Sequence, residues 1–264
     1  MGRKSDEMAC FESGKLVYYR RHMDRSFWDD HWHKCDSPQF YEPYLAGYIG
    51  RGRLAHVLRH RLPRPGRILE AGCGKAQHVV SLRARGNNCV GIDNAKETIV
   101  GVRRLFPTLP LAAGDVRRLP WKGGAFAAYV SLGVVEHFVE GPATALCEAH
   151  RVLADDGVLI ISVPQVFPWR RRENRKFLLT ADFSFYQYAF SHEEFAGLLD
   201  KSGFKIDKQY GYGSDFALQL RWPAVGKLFA SFPRLAAALR MVLDATPYIW
   251  QRCSRMRLYC ARKK

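Results

Sequence analysis

The chain has 264 residues, of which 47% are hydrophobic, and a formal net charge of +16. This composition excludes a disordered tail and suffices for one domain with a full core and an elaboration. Seven cysteines, an odd number without a Cys-x-x-Cys pair, argue against a disulfide framework and indicate a reducing, cytoplasmic setting. We expect no signal peptide and no spanning helix, because no apolar run is long enough.

The positive charge is concentrated in the last quarter of the chain. Residues 1–66 carry 12 basic and 8 acidic side chains, residues 67–200 carry 16 and 14, and residues 201–264 carry 13 and 3. The excesses are therefore +4, +2 and +10. A lipid surface, an anionic substrate or nucleic acid could use the basic segment, and a solvated, solubilising face explains it equally well.

Strands alternate with helices along most of the chain. A helix or helix pair at 40–60 comes first, and helices near 76–85, 95–105, 142–153 and 191–202 follow. The last of these begins with a capping box at Ser191–Glu194. Strands are predicted near 67–71, 88–93, 109–113, 126–131, 157–163, 204–210 and 257–261. This order predicts an α/β fold, namely a doubly wound, mostly parallel seven-stranded sheet with helices on both faces.

The elements suggest four regions. They are an N-terminal arm with helices at 1–65, a nucleotide-binding core at 66–211, a helical insertion or cap at 212–253, and the last strand of the core sheet at 254–264.

Two segments are additions to the minimal doubly wound α/β fold. Residues 164–190, rich in aromatic and arginine side chains, are predicted to form a long loop that acts as a substrate lid or packs on the body. Residues 215–252 predict two basic amphipathic helices separated by Pro233. The first interpretation of this pair is a cap over the substrate side of the sheet. The alternative is peripheral contact with an anionic membrane at its inner face.

The segment from residue 68 to 93 predicts a strand, a glycine turn, a helix and a second strand that ends in Asp93. Gly72 and Gly74 allow close backbone approach to a ligand, and an acid at the next strand end can accept hydrogen bonds from ribose. Gln77 replaces the third glycine of the dinucleotide fingerprint, which weakens an NAD interpretation. The carboxylate of Glu70 would repel a pyrophosphate and attract an ammonium group, as S-adenosylmethionine carries.

Five segments in this order resemble the class I S-adenosylmethionine-dependent methyltransferases, in particular the small-molecule branch of the ubiquinone and menaquinone biosynthesis enzymes. They are Glu70–Ala76, with Ala76 at the family's last glycine, Gly91–Asn94, Gly114–Trp121, Ser131–Phe138 and Arg151–Pro164. The resemblance implies S-adenosylmethionine as cofactor. It also implies cofactor contacts from Glu70, Ala71, Gly72, Gly74, Asp93, Asn94, Asp115, Val116, Ser131 and Leu132.

His137, just past the fourth strand of the predicted core, is the candidate catalytic base. A structural hydrogen bond from its ring is the alternative, and Glu136 beside it is predicted to start a helix. Trp28 and Trp32 either fold over the methionine end of the cofactor or pack the N-terminal arm. The spacing of His22, His31, His33 and Cys35 matches no zinc pattern, so no metal is predicted.

A tetrad that is absent after the fourth predicted strand indicates the chemical class of the acceptor. Family members that methylate nucleic-acid amines carry an Asn-Pro-Pro-Tyr-like tetrad where this chain has Ser131–Val134, which argues against nucleic acid. We therefore expect a methyltransferase that acts on oxygen or carbon of a small-molecule or lipid-linked acceptor. The alternatives are an inactive methyltransferase-like binding module and an NAD-linked oxidoreductase.

Overall fold

The computed structural model of the chain describes residues 7–12, 15–21, 27–33, 37–167, 182–214, 219, 222–246 and 254–264. Its strands are β1 (Glu7–Glu12), β2 (Lys15–Arg21), β3 (Arg67–Ala71), β4 (Asn88–Asp93), β5 (Leu111–Ala113), β6 (Phe126–Leu132), β7 (Leu153–Pro164), β8 (Phe183–Ala189), β9 (Phe204–Tyr212) and β10 (Met256–Lys263). Its helices are α1 (Phe27–His33), α2 (Pro38–Leu45), α3 (Gly52–His60), α4 (Gln77–Ala84), α5 (Lys96–Leu105), α6 (Ala143–Val152), α7 (His192–Lys201), α8 (Pro223–Ser231) and α9 (Pro233–Ala245).

A seven-stranded sheet forms the centre of the fold, with strand order β5-β4-β3-β6-β7-β10-β9. The five strands from β5 to β7 pair in parallel, and β10 pairs antiparallel with both β7 and β9. This confirms the predicted sheet. The chain proceeds from β3 outward to β5 and then returns to β6 on the other side of β3. The carboxyl ends of β3 and β6 therefore flank a topological switch point, where open α/β sheets bind ligands.

Helices cover both faces of this sheet, as predicted. Neighbouring strand residues point to opposite faces, so Ile68 packs in one core and Leu69 in the other. Helices α6 and α7 contribute apolar residues to the core around Leu69, and α2 to α5 contribute to the core around Ile68. The capping box of α7 is present, because the N–H of Glu194 donates to Oγ of Ser191 and the N–H of Ser191 donates back to the Glu194 carboxylate.

A second, three-stranded sheet with order β1-β2-β8 corrects two expectations. The region 1–65 contains two strands besides its helices, and residues 183–189 form a strand rather than part of a long loop. Both differences come from one antiparallel pairing in which Val17 opposes Tyr188. Trp169 and residues 170–172 of the predicted lid lie outside the described residues.

Helices α8 and α9 meet at Pro233, as predicted, but they do not form the expected cap. Helix α9 contacts α3, and within the described part of the pair only Ala236 and Leu243 are buried apolar residues. Large apolar side chains remain exposed at Trp222, Leu228, Phe232, Leu235, Leu239 and Val242. In the part of the chain that the structure describes, no helix has both the length and the apolar character to cross a bilayer.

Candidate active site

A cavity of about 430 Å³ lies at the carboxyl ends of β3, β4 and β6, beside the switch point. Eight of the eleven predicted site residues border it, namely Glu70, Gly72, Asp93, Asn94, Asp115, Val116, Leu132 and His137. Parallel strands end at one edge of the sheet, which is why residues so distant in sequence meet here.

The other three predicted cofactor contacts, Ala71, Gly74 and Ser131, are not among the residues that line the cavity. Ala71 and Ser131 are fully buried in the sheet. Gly74 is covered by α1, because a Cβ on this residue would lie 2.7 Å from Cζ2 of Trp32. These three residues therefore lie beneath the residues that line the cavity.

The glycine turn depends on backbone conformations that side chains disfavour. Gly72 has φ +80°, and a Cβ there would lie 2.2 Å from Cγ2 of Val134. Any larger residue at Gly72 would therefore displace Val134 from the wall of the cavity. Ala76 takes φ +56° without being glycine, so the chain keeps the left-handed conformation at the position where the family has its last glycine.

The carboxylate of Asp93 binds the turn to the end of β4. Its Oδ2 accepts a 2.7 Å hydrogen bond from the N–H of Gly74, and its Oδ1 accepts a 2.9 Å hydrogen bond from the N–H of Ala95. Burial raises the pKa of Asp93, and these backbone donors oppose the rise. Each oxygen of a carboxylate has a second lone pair, so Asp93 retains the capacity to accept hydrogen bonds from ribose hydroxyls.

Glu70 is a buried acid at the end of β3. Its side chain is 3% exposed, and no donor among the described residues bonds to its Oε2. Burial raises the pKa of Glu70 to about 8. A hydrogen bond from the backbone N–H of Val79 opposes this rise but leaves Oε2 without a donor. A buried carboxylate with an unsatisfied oxygen costs stability when it ionises, and a bound cation offsets that cost. Glu70 therefore fits the α-ammonium group of S-adenosylmethionine, and with Asp93 it matches the two polar ends of that cofactor's amino-acid and ribose moieties.

Asp115 is paired more fully than the sequence suggests. Its carboxylate accepts hydrogen bonds from Nε and Nη2 of Arg117 at 2.7–3.0 Å and from the Arg117 N–H at 2.8 Å. These bonds lower the pKa of Asp115. Arg117 also pairs with Glu140 and covers the ring of Phe138. Asp115 thus anchors a small ion-pair network at the rim of the cavity.

His137 borders the cavity with a fixed ring. Its Nδ1 lies 2.8 Å from the carbonyl oxygen of Tyr186, so Nδ1 carries the proton and Nε2 holds the lone pair. The ring also packs against Trp28, with centroids 4.6 Å apart. Burial lowers the pKa of His137 to about 4, so the ring is neutral at physiological pH.

Several residues around the cavity come from the N-terminal arm and the second sheet. Trp28 and Trp32 of α1, which the sequence marks as candidates for covering the site, both border it. Tyr18 and Tyr186 border it from β2 and β8. Tyr186 belongs to the aromatic segment that was predicted to form a substrate lid, whereas sequence reasoning missed Tyr18. Glu136, expected to be a helix-start residue, is a buried part of the wall.

Of the cluster His22, His31, His33 and Cys35, the structure describes only His31 and His33. His22 and Cys35 lie outside the described residues. Elsewhere in the described ranges, no group of three or more His, Cys, Asp or Glu side chains is arranged to hold a metal ion.

Comparison with known proteins gives a consistent result. Residues 69–161 match a family described as "Methyltransferase domain". A Mycolicibacterium smegmatis protein named as a probable S-adenosylmethionine-dependent methyltransferase is 26% identical over 159 residues, which are 60% of this chain and 58% of that protein. The chain therefore spans little more than half the length of this curated relative.

Two solved structures share the fold. An S-adenosylmethionine-dependent methyltransferase from Mesorhizobium loti superposes with a TM-score of 0.54 at 17% identity, covering 79% of this chain and 97% of its own. The Burkholderia thailandensis 1,6-didemethyltoxoflavin-N1-methyltransferase, solved with its substrate and S-adenosylhomocysteine, gives 0.52 at 15% identity and covers 98% and 100%. Residues 69–161 are therefore similar to a methyltransferase domain, and the sheet that contains them has the fold of these solved methyltransferases.

Proposed function

We propose that the protein transfers a methyl group from S-adenosylmethionine to a small-molecule acceptor. The observation that carries this proposal is the cavity at the switch point, which is bordered by the acids Glu70 and Asp93 and by aromatic residues. When bound, the cofactor supplies an electrophilic methyl group on a positively charged sulfur. Glu70 would hold its ammonium group, Asp93 and Asn94 its ribose, and the segment at Asp115 and Val116 its adenine.

The residues of the chain contribute position and exclusion of water rather than covalent chemistry. Trp28, Phe138 and Phe167 border the remainder of the cavity and form an apolar wall. A dry, shaped pocket aligns two reactants and removes the solvent that would compete with them. Within this pocket His137 presents Nε2 and orients the acceptor. The acceptor atom in this proposal is an oxygen or a carbon, and the residues at 131–134 disfavour the amino group of a nucleic-acid base.

Mass spectrometry with labelled cofactor tests this function. The intact protein is incubated with a deproteinised metabolite extract and S-adenosylmethionine that carries an isotopically labelled methyl group. We expect one product that gains the label, together with S-adenosylhomocysteine, and loss of both with Asp93→Ala. Asp155→Ala, a substitution at an exposed acid far from the cavity, is the matched control. Cofactor binding without any turnover would instead identify an inactive binding module.

We also propose that the acceptor includes lipid-linked molecules, which the enzyme reaches by peripheral contact with an anionic membrane. The support is the exposed apolar surface of α8 and α9, together with the exposed basic residues Lys227 and Arg234 and the charge excess of the last quarter. Exposed apolar side chains among basic ones bind the interface of anionic bilayers. A solvated, solubilising surface would favour polar residues at those positions.

Vesicle sedimentation tests the membrane proposal. Vesicles that contain phosphatidylglycerol should bind the protein, and vesicles of pure phosphatidylcholine should bind it much less. Replacing Leu235 and Val242 by serine should abolish binding, whereas Val139→Ser, at an exposed apolar residue elsewhere, should not. The membrane contact would be refuted if all variants bound the vesicles equally, or if the protein bound neither kind of vesicle. Either result would leave the methyltransferase function intact.

A further inference from the structure

Glu136 is a buried acid that the assignments above leave without a role. It lies in a 3-10 turn at Val135–His137, directly after β6, and is 2% exposed. Its own backbone N–H bonds to the carboxyl group, and within the described ranges Oε2 has no hydrogen-bond partner. An acid buried in this way is costly unless it serves a ligand or a reaction.

The position of Glu136 separates it from the residues that would hold the cofactor. It borders the cavity together with Gly133, and its Oε1 lies 3.4 Å from where a Cβ on Gly133 would be. Glu70 and Asp93 instead lie at the ends of β3 and β4. Tyr186 of β8 and Met256 of β10 also border the cavity, and Cε of Met256 lies 3.7 Å from the same Cβ position on Gly133. Glu136 is therefore grouped with these residues rather than with the two acids of β3 and β4, and this part of the cavity is the one left for the acceptor.

His137, its neighbour, is poorly suited to take a proton. Its Nδ1 is already committed to the carbonyl oxygen of Tyr186. Burial among Trp28 and Tyr186 lowers the pKa of its ring to about 4, which leaves Nε2 a weak base. The same burial raises the pKa of Glu136 to about 8. A general base works best when its pKa lies near the working pH, so the carboxylate is the stronger base of the two.

We propose that Glu136 is the general base of the reaction and that the acceptor presents an O–H group to its carboxylate. This inference rests on the proposed function, and it narrows the acceptor atom from oxygen or carbon to the oxygen of a hydroxyl group. His137 then orients the acceptor and does not accept its proton.

The bonds and charges balance in this step. A lone pair of the acceptor oxygen forms the new bond to the methyl carbon, and the bond from that carbon to sulfur breaks with its electron pair left on sulfur. The proton passes from the acceptor to Glu136, which becomes a neutral carboxylic acid. Loss of that proton to solvent after product release restores the carboxylate.

Other charged and titratable groups lie around Glu136. Those that border the cavity are Tyr186 on β8, His137, His31 on α1, Glu7 on β1 and Arg255 before β10, and Tyr212 on β9 interacts electrostatically with Glu136. Burial raises the pKa of Tyr212 to about 12, and burial also raises the pKa of Tyr186. Neither tyrosine therefore ionises in the range where Glu136 acts.

The test uses labelled S-adenosylmethionine with the metabolite extract as the source of acceptor, and it measures rate against pH and cofactor affinity separately. Glu136→Gln should reduce the rate by about 100-fold or more. It should leave the dissociation constant of S-adenosylmethionine unchanged. The wild-type rate should rise to about pH 8 and then level, since burial raises the pKa of Glu136 to about 8. Glu136→Asp should keep part of the activity and the rise with pH.

The controls separate the base from its neighbours. His137→Gln should lower the rate but keep the rise with pH, and Glu97→Gln, at an exposed acid of α5, should change neither. A Glu136→Gln enzyme with the wild-type rate or the wild-type pH profile overturns the inference while the methyltransferase function stands. Loss of the pH dependence in His137→Gln also overturns it. A wild-type protein that yields no labelled product overturns the proposed function, and this inference with it.

Discussion

The N–H of Gly74 donates a 2.7 Å hydrogen bond to Oδ2 of Asp93, and this bond joins the glycine turn after β3 to the end of β4. The acid that would bind ribose is therefore also a structural part of the turn beside it. Cofactor affinity and local stability depend on the same carboxylate.

Asp93→Asn should lower both properties. Its amide keeps one oxygen acceptor, but its NH₂ group faces one of the backbone N–H donors of Gly74 and Ala95 and leaves that donor unpaired. We expect a loss of roughly 1–3 kcal/mol in the free energy of unfolding, measured by urea denaturation. Calorimetry should show at least tenfold weaker binding of S-adenosylmethionine. Asp155→Asn serves as control, and equal stability of both variants would contradict the dual role.

Stability of the ligand-free protein should fall as pH rises. Burial raises the pKa of Glu70 and of Glu136 to about 8 in the folded state, from 4.5. The protonated forms of these two acids favour the folded state. Their contribution to the free energy of unfolding is complete below about pH 4.5 and is lost as the pH rises to about 8. Glu70→Gln should flatten the decline by up to about 1.4 kcal/mol per pH unit. Urea denaturation at several pH values measures this slope, and parallel curves for wild type and variant would refute it.

Cofactor binding should release a proton at pH 7. Because burial raises the pKa of Glu70 to about 8, the acid is mostly protonated before binding, and an ammonium group beside it favours the ionised form. Calorimetric titrations in two buffers with different ionisation enthalpies count the protons released. We expect up to about one proton from the wild type and fewer from Glu70→Gln. Identical counts from the two proteins would place the ammonium group elsewhere.

Helix α1 should control how fast the cofactor leaves. Oδ1 of Asp29 accepts hydrogen bonds from the N–H and Oγ1 of Thr98 at 2.9 and 3.0 Å, which fastens α1 to the first turn of α5. Asp29→Ala should cost roughly 1–2 kcal/mol of stability and accelerate cofactor dissociation, because α1 carries Trp28 and Trp32.

A double-mutant cycle isolates this contact. Thr98→Val keeps the backbone donor and should cost less than Asp29→Ala. The coupling energy between the two changes should be about 1 kcal/mol. Dissociation followed by stopped-flow fluorescence supplies the kinetic readout, and unchanged dissociation in Asp29→Ala would show that α1 does not limit release.

The sequence predicted the central sheet well because its signals are local. The strands from β3 to β6 are short and mostly apolar, and they end near the turn, acids or His137 at the site, while β7 contains the apolar run at 157–163. The start of α7 was predictable for the same reason, since the capping box at Ser191 and Glu194 lies within four residues.

The remainder depended on contacts between distant segments. More than 160 residues separate β2 from β8, so the sequence of either strand alone does not indicate that it pairs with the other. The burial of Glu136 was not predictable, because burial of an acid beside a strand end is set by packing of β7 and β8 against its turn. The exposure of the apolar side chains of α8 and α9 could not be predicted either, because an apolar stripe at helical spacing is ordinarily buried against the rest of the protein.

Calorimetric titration of S-adenosylmethionine into the intact protein tests the central claim most directly. One site with a dissociation constant in the micromolar range, strongly weakened by Asp93→Ala and accompanied by no binding of NAD, is the result we predict. Absence of binding heat with S-adenosylmethionine at any pH between 6 and 9, or saturable binding of NAD in its place, would contradict it.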